Sequence, residues 1–289
     1  MSRSRLGPNR YGKAETHVVR VTRDGRTHHI RDLTVSVALS GDMEAVHLTG
    51  DNSSVLTTDT QKNTVFAFAR KYGIDSPEDF GLRLARHFVG SQPTIHHARV
   101  SVDEHAWDRI PGEGRHSFVR RGGETRTAVV HHDDTATHVV SGLKDLVVLN
   151  SADSEFWGYA KDEYTTLPET RDRILATEVT AQWRHASADA DWEGSYPEAR
   201  GHLLAAFAGT YSLSLQQTLY AMGDRLLDRL PGVCEVRLAL PNKHHFTVDL
   251  EPFGLENDNE IFYAADRPYG LIEGAVVRDG APDPGPAWS

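Results

Sequence analysis

Pro93-Thr-Ile-His96-His97-Ala-Arg-Val100-Ser-Val102 and Pro241-Asn-Lys-His244-His245-Phe-Thr-Val248-Asp-Leu250 share the pattern P-x-x-H-H-x-x-V-x-aliphatic. Each ends in alternating apolar and polar residues, the period of a strand with one buried face. Outward from the first copy, Ser76-Pro77-Glu78-Asp79 places a capping serine before a proline at the first helical position, and Phe80, Leu84 and Phe88 then share one face. Before that, Val65, Phe68, Ala69 and Tyr72 fall at helical spacing, with Thr57 or Thr58 as cap, Asp59 in the first turn and Gly73 as stop. Thr16 to Thr22 and Leu33, Val35, Val37 and Leu39 alternate on either side of Asp24-Gly25, which predicts a hairpin. Strands are expected again at Ser117 to Arg121 and Thr125 to His131.

The second copy sits in the same order of elements. Thr137 to Asn150 and Val179 to Trp183 are strand-like, Ser195-Tyr196-Pro197-Glu198 matches a capping box, and Leu215, Leu219, Met222, Leu226 and Leu230 stripe a helix stopped by Pro231-Gly232. Cys234 to Leu240 and Phe246 to Leu250 close the series as strands. The order predicts an α+β chain made of two tandem units, 10–138 and 139–277, each an antiparallel sheet with two helices on one face. Residues 278–289, with Pro282, Pro284 and Pro286, read as a flexible tail.

The 289 residues are long enough for two cores, and a 39% hydrophobic share, with 24 glycines besides, belongs to globular rather than disordered chains. Acidic residues outnumber basic ones, 41 to 31, for a net charge of −10, and the basic residues are scattered. A nucleic-acid partner is therefore not expected. No uninterrupted apolar run reaches the length of a membrane span, and the first residues lack the apolar stretch of a secretion signal, so a soluble cytoplasmic protein is expected. The single cysteine, Cys234, shares a strand face with Val236, Leu238 and Leu240, which predicts a buried, inert thiol.

Phosphate-loop, dinucleotide, serine-hydrolase and H-E-x-x-H zinc motifs are all absent. Of the His-His pairs, only His131-His132-Asp133-Asp134, read as a loop, has neighbours free to face one ion; a solvated turn is the competing reading. His244 shares its strand face with Phe246 and Val248, which suits a core histidine as well as a catalytic one. Thr58 and Asp59 are ordinary residues for a helix start, where free amides also suit an anion.

Taken together, Arg10-Tyr11-Gly12-Lys13, Thr58-Asp59-x-x-Lys62-Asn63-Thr64, Phe156-Trp157-Gly158 running on to Asp162-Glu163-Tyr164-Thr165-Thr166-Leu167 and Arg173, and Leu240-Pro241-Asn242-Lys243-His244 resemble the urate oxidase family from about Arg10 to Tyr269. The resemblance implies two tunnelling-fold units per chain and four chains closing a β-barrel tunnel, a homotetramer with sites at subunit interfaces. It implies that Arg173 and Gln216 grip the planar purine and that Phe156 stacks on it. Leu167 and Leu215 would line the pocket, with the backbone of Leu215 and Asp59 at the purine edge. Lys13, Thr58 and His244 would form a proton relay, and Thr58 with Asn242 would hold water or O2. The implied reaction oxidises urate with O2 and water to 5-hydroxyisourate and hydrogen peroxide, with no metal or other cofactor. Asn150 departs from the family's lysine, a change expected to affect sheet or interface. The C-terminus lacks a Ser-Lys-Leu peroxisomal address, which points to bacterial cytoplasm. The rival readings are a tunnelling-fold purine or pterin enzyme with a histidine-bound metal, and a purine-binding oligomer without catalysis.

Overall fold

The computed structural model describes residues 4–112 and 115–289, and of Asp266 the backbone alone. The chain forms two compact units. One holds the chain up to Gly142 together with Arg184–Tyr196 and Pro282–Ser289; the other holds Leu143–Trp183 and Pro197–Ala281.

In the first unit, β1 (Tyr11–Asp24) and β2 (Thr27–Gly41) form the expected hairpin, pairing Asp24 with Thr27, and both run longer than the alternating cores that announce them. A short helix α1 (Glu44–Leu48), not foreseen, precedes α2 (Thr58–Lys71) and α3 (Pro77–Ser91). Thr57, not Thr58, caps α2, its side chain accepting from Thr60 N–H, and Ser76 caps α3 by accepting from Asp79 N–H. The strands β3 (Ile95–Glu104) and β6 (Thr125–Asp133) complete the antiparallel order β1-β2-β3-β6. Leu33, Val35, Leu39, Phe80, Leu84, Phe88 and Val100 pack in one core between sheet and helices, all essentially solvent-free.

Several expectations are corrected here. The stretch 117–121 does not join this sheet: β4 (Trp107–Arg109) and β5 (Phe118–Arg120) form a hairpin of their own. His131-His132-Asp133 lie in β6 rather than a loop, because their backbone is paired with β3. Residues 278–289, read as a tail, are engaged. Arg184 donates to the Pro282 carbonyl at 2.9 Å, Arg99 to the Ser289 carbonyl at 3.0 Å, and Ala287 is 3% exposed.

The strands β7 (Thr137–Asn150) and β8 (Leu175–His185), and the helix α4 (Trp192–Gly209), each run from one unit into the other. The predicted capping box falls inside α4, not at its start. Asp191 outcompetes Ser195: its carboxylate accepts from Gly194 N–H at 3.0 Å, its carbonyl from Ser195 N–H, and Glu193 adds a favourable charge in the first turn. The second unit continues with α5 (Leu215–Arg229), β9 (Val233–Thr247) and β10 (Phe262–Val277), the last two antiparallel. Its core contains Val179, Trp183, Leu203, Leu219, Met222, Leu226 and Leu238, and Cys234 is a buried free thiol. Of the strand expected at 246–250 only Phe246 and Thr247 are extended, as the end of β9, which passes through Pro241, paired with Leu271; residues 248–250 lie outside any strand. The φ of proline suits an extended chain, and its cost is one ladder hydrogen bond.

Set out by element, the chain runs β1β2α2α3β3β6 and then β7β8α4α5β9β10, with α1 and the β4–β5 hairpin as additions.

Candidate active site

A cavity of about 640 Å³ in the second unit is lined by Phe156, Leu167, Arg173, Leu215, Gln216, Asn242 and His244, together with parts of β9 and β10. These are the expected site residues that fall in this unit.

Asn242 and His244 are two apart on β9, so both side chains leave the same face. Opposite them β10 is irregular: the pairing steps from Ala265 to Gly270 while β9 steps only from His244 to Asn242. Four β10 residues, 266–269, thus stand against the single β9 residue Lys243, which interrupts the ladder beside the two polar side chains. The His244 imidazole lies 5.8 Å from the Phe246 ring, nearly parallel to it. Burial first, then the positive charge of Arg173, then His245, hold it below its ordinary proton affinity, so it is neutral at neutral pH.

Arg173 and Phe156 come from the long connection between β7 and β8. Phe156 is fixed by reciprocal backbone hydrogen bonds with Thr170, at 2.8 and 3.0 Å, and its ring stacks on Tyr159 at 4.9 Å. Arg173 donates its backbone N–H to the Ser154 carbonyl and its Nε–H to Ser154 Oγ, both at 3.1 Å, while its guanidinium lies 5.1 Å from the Phe156 ring centre. No carboxylate of the described residues pairs with this half-buried cation, and burial alone lowers its proton affinity. A guanidinium stays charged regardless, so it awaits an anion.

Leu215 and Gln216 open α5. Ser214 Oγ accepts from Gln217 N–H at 3.2 Å, and Gln217 Oε1 accepts from Leu213 N–H at 2.8 Å. That arrangement satisfies the amides around the first turn and leaves those of Leu215 and Gln216 with no acceptor among the described residues. Leu215 is buried, whereas Gln216 is exposed into the cavity. Ser212 joins both sides. Its backbone bridges Asp153 and Glu155, its Oγ donates to the Ser214 carbonyl at 3.0 Å, and Thr218 Oγ1 donates to it at 2.8 Å. Ser154, Ser212 and Thr218 are all buried. Sequence reading missed these three, since nothing marks a serine whose partners lie tens of positions away.

Lys13, Thr58 and Asp59 belong to the first unit. Lys62 Nζ at 2.5 Å and Asn63 Nδ2 at 2.9 Å clamp the Asp59 carboxylate. The Lys62 hydrogen bond, its charge and that of Lys13 keep this group ionised below the usual carboxylate range. Tyr11 holds β1 to the approach of α2, its hydroxyl accepting from Leu56 N–H at 3.0 Å. Gly12 is required between Tyr11 and Lys13: a Cβ there would stand 1.8 Å from the Val37 carbonyl oxygen.

Asn150 donates to the Phe207 carbonyl at 3.0 Å, satisfying one of the last acceptors of α4. His131 and His97 face each other at 3.2 Å, but among the described residues no three His, Cys, Asp or Glu side chains are grouped to hold a metal ion.

Comparison with known proteins matches the uricase family model to residues 9–131 and 139–273. Uricase of Arthrobacter globiformis is 50% identical over 284 residues, covering 98% of this chain and 93% of the relative. Uricase of Dictyostelium discoideum is 37% identical over 276 residues, covering 93% of this chain and 96% of the relative. The crystal structure of the Arthrobacter globiformis protein superposes with a TM-score of 0.96 at 49% identity, covering 99% of each chain. Urate oxidase of Bacillus sp. TB-90, 22% identical with a TM-score of 0.81 over 94% of this chain and all of the other, shares the fold. By sequence along almost its whole length and by fold, the chain belongs to the uricase family.

Proposed function

We propose that this chain oxidises urate in purine breakdown: urate, O2 and water give 5-hydroxyisourate and hydrogen peroxide. Two electrons leave the purine and reduce O2 to peroxide, and the oxygen of water ends on the ring. The observation that carries this reading is the Arg173 guanidinium beside Phe156, which has no carboxylate partner among the described residues and lines the same cavity as Leu215 and Gln216 at the start of α5. A planar anion laid on Phe156 meets two in-plane donors of the guanidinium fork on one side and the Gln216 amide on the other.

Facing this grip, Asn242 holds O2 or water, and the neutral His244 is free to accept a proton relayed from Lys13 through Thr58. In this reading Lys13, Thr58 and Asp59 come from a neighbouring copy. The two units, 10–138 and 139–277, are tunnelling-fold repeats; four chains close a β-barrel tunnel, and the enzyme works in the bacterial cytoplasm without metal or flavin. Catalysis then comes from position and from fixed charges that hold an electron-rich dianion against O2.

The experiment is a stopped assay of urate absorbance with O2 consumption and peroxide release in metal-free buffer containing a chelator. Equal molar loss of urate and O2 is expected; no turnover of urate overturns the reading.

A further inference from the structure

The first unit has a second concavity, about 600 Å³, whose walls include Arg20, His28, Arg31, Ile74, Arg109 and Phe118. Arg20 and Arg31 are direct partners across β1 and β2, where like charges repel. Arg31 is neutralised, by Glu104 at 2.5 Å and Glu193 at 3.0 Å. Arg20 has no carboxylate within ion-pair distance among the described residues. Its guanidinium lies over Gly73, where an added Cβ would approach Nη1 to 2.5 Å and φ is +87°. That glycine both ends α2 and makes room for the cation.

Arg109 enters from β4 and donates to the main-chain carbonyls of His28 and Arg115, and among the described residues no carboxylate lies within ion-pair distance of it. His28 stacks on His116 with centroids 3.9 Å apart. Desolvation first, then the charges of His116, Arg23, Arg109 and His29, make His28 harder to protonate. Asp75 is the one carboxylate among the lining residues, and it faces Arg83 at 3.8 Å. A chain with a net charge of −10 has thus placed in one hollow two arginines, Arg20 and Arg109, that have no carboxylate partner among the described residues.

We infer that this hollow binds a phosphate group, anchored by the Arg20 guanidinium and by the N–H groups of Arg109 that its two main-chain hydrogen bonds leave over. Guanidinium forks match phosphate oxygens two at a time. The apolar wall of Ile74 and Phe118 leaves space for an organic substituent, so the shared chemistry covers free phosphate and a phosphomonoester.

Calorimetric titration of the full chain tests this, with inorganic phosphate in one arm and adenosine 5′-monophosphate in the other, at fixed ionic strength in a phosphate-free buffer. Saturable binding is expected, weakened at least tenfold by Arg20→Gln with Arg109→Gln and unchanged by Arg173→Gln in the other cavity. Tighter binding of the nucleotide identifies a phosphomonoester as ligand, and tighter or equal binding of phosphate identifies the free ion. Arg20→Gln alone, at a half-exposed position, gives the same discrimination if the double variant does not fold. Absence of saturable binding in both arms overturns the inference. So does binding that survives the Arg20 variants or disappears with Arg173→Gln.

Discussion

The Arg173 side chain donates its Nε–H to Ser154 Oγ at 3.1 Å, and that single bond fixes which edge of the guanidinium remains for a ligand. With Nε engaged, the two terminal nitrogens are the donors left to act as a fork. Lysine keeps the charge but has neither the plane nor the second donor. Arg173→Lys is therefore expected to lower kcat/KM for urate by roughly ten- to hundredfold, since a charge-assisted hydrogen bond is worth about 1.5–3 kcal/mol. Steady-state rates of urate loss check this; a change below threefold would mean that the fork does not hold the substrate.

If Lys13 and Thr58 act on a purine held by Arg173 of another copy, two inactive variants can complement each other. Arg173→Gln and Thr58→Ala chains are each expected to be nearly inactive alone. Co-expressed, they should form some interfaces with both native residues and regain a clear fraction of native activity. No recovery in assemblies shown to contain both chains would place each site within one copy.

Between Tyr11 and Lys13 the strand is decided by one missing side chain. Gly12→Ala puts a methyl 1.8 Å from the Val37 carbonyl oxygen, so the β1–β2 pairing must open there. The expected cost is about 1–3 kcal/mol of stability, as for other overpacked sites, with a larger loss of activity because Lys13 moves with the strand. Urea unfolding and urate turnover measure both. Native activity in Gly12→Ala would sever Lys13 from catalysis.

What the sequence made legible follows from periodicity and short-range caps. Leu33, Val35, Val37 and Leu39 announce a buried strand face by alternation, and Ser76-Pro77 announces a helix start, because both signals are local. The start of α4 departs from the expected one because two local capping signals compete, and it is Asp191, not Ser195, whose carboxylate takes the Gly194 N–H. Within the site, Arg173, Gln216, Asn242 and His244 were reachable through a family resemblance, not through spacing. Ser154, Ser212 and Thr218 were not, since their bonds join the β7–β8 connection to α5, and no local pattern encodes that meeting.

Two buried histidines set the acid limit of the fold. Burial, with His97, Arg99, His138 and Arg10 nearby, lowers His131 to about 3, and burial lowers His185 to about 4. Both ordinary values are near 6.5, so below that pH the unfolded chain takes up protons that the folded chain refuses. Their contribution to stability is full above about pH 6.5 and is lost as pH falls toward 4, at about 1.4 kcal/mol per pH unit for each. Urea unfolding at pH 5 and 7 should show this slope, and His131→Gln should flatten it. An unchanged slope in that variant would assign the acid sensitivity to other groups.

Glu78 is fully buried, and burial outweighs the charge of Arg126 and the hydrogen bond from Ser141 in raising its proton affinity. Arg126 Nη2 donates to Glu78 Oε2 at 2.8 Å and to the Trp192 carbonyl at 2.9 Å, while Ser141 Oγ donates to Glu78 Oε1 at 2.7 Å. The pair locks α3 to β6 and to the start of α4 within one unit. Removing only the cation strands a carboxylate without water, so Arg126→Met is expected to cost about 3–5 kcal/mol. Adding Glu78→Gln removes the stranded charge and should restore much of that loss, because an ion pair's own net contribution is small once its desolvation is counted. Chemical unfolding of both single variants and the double variant gives the coupling directly. If the double variant is no more stable than Arg126→Met, the arginine matters through its packing on Tyr196, 4.6 Å from the ring centre, rather than through its charge.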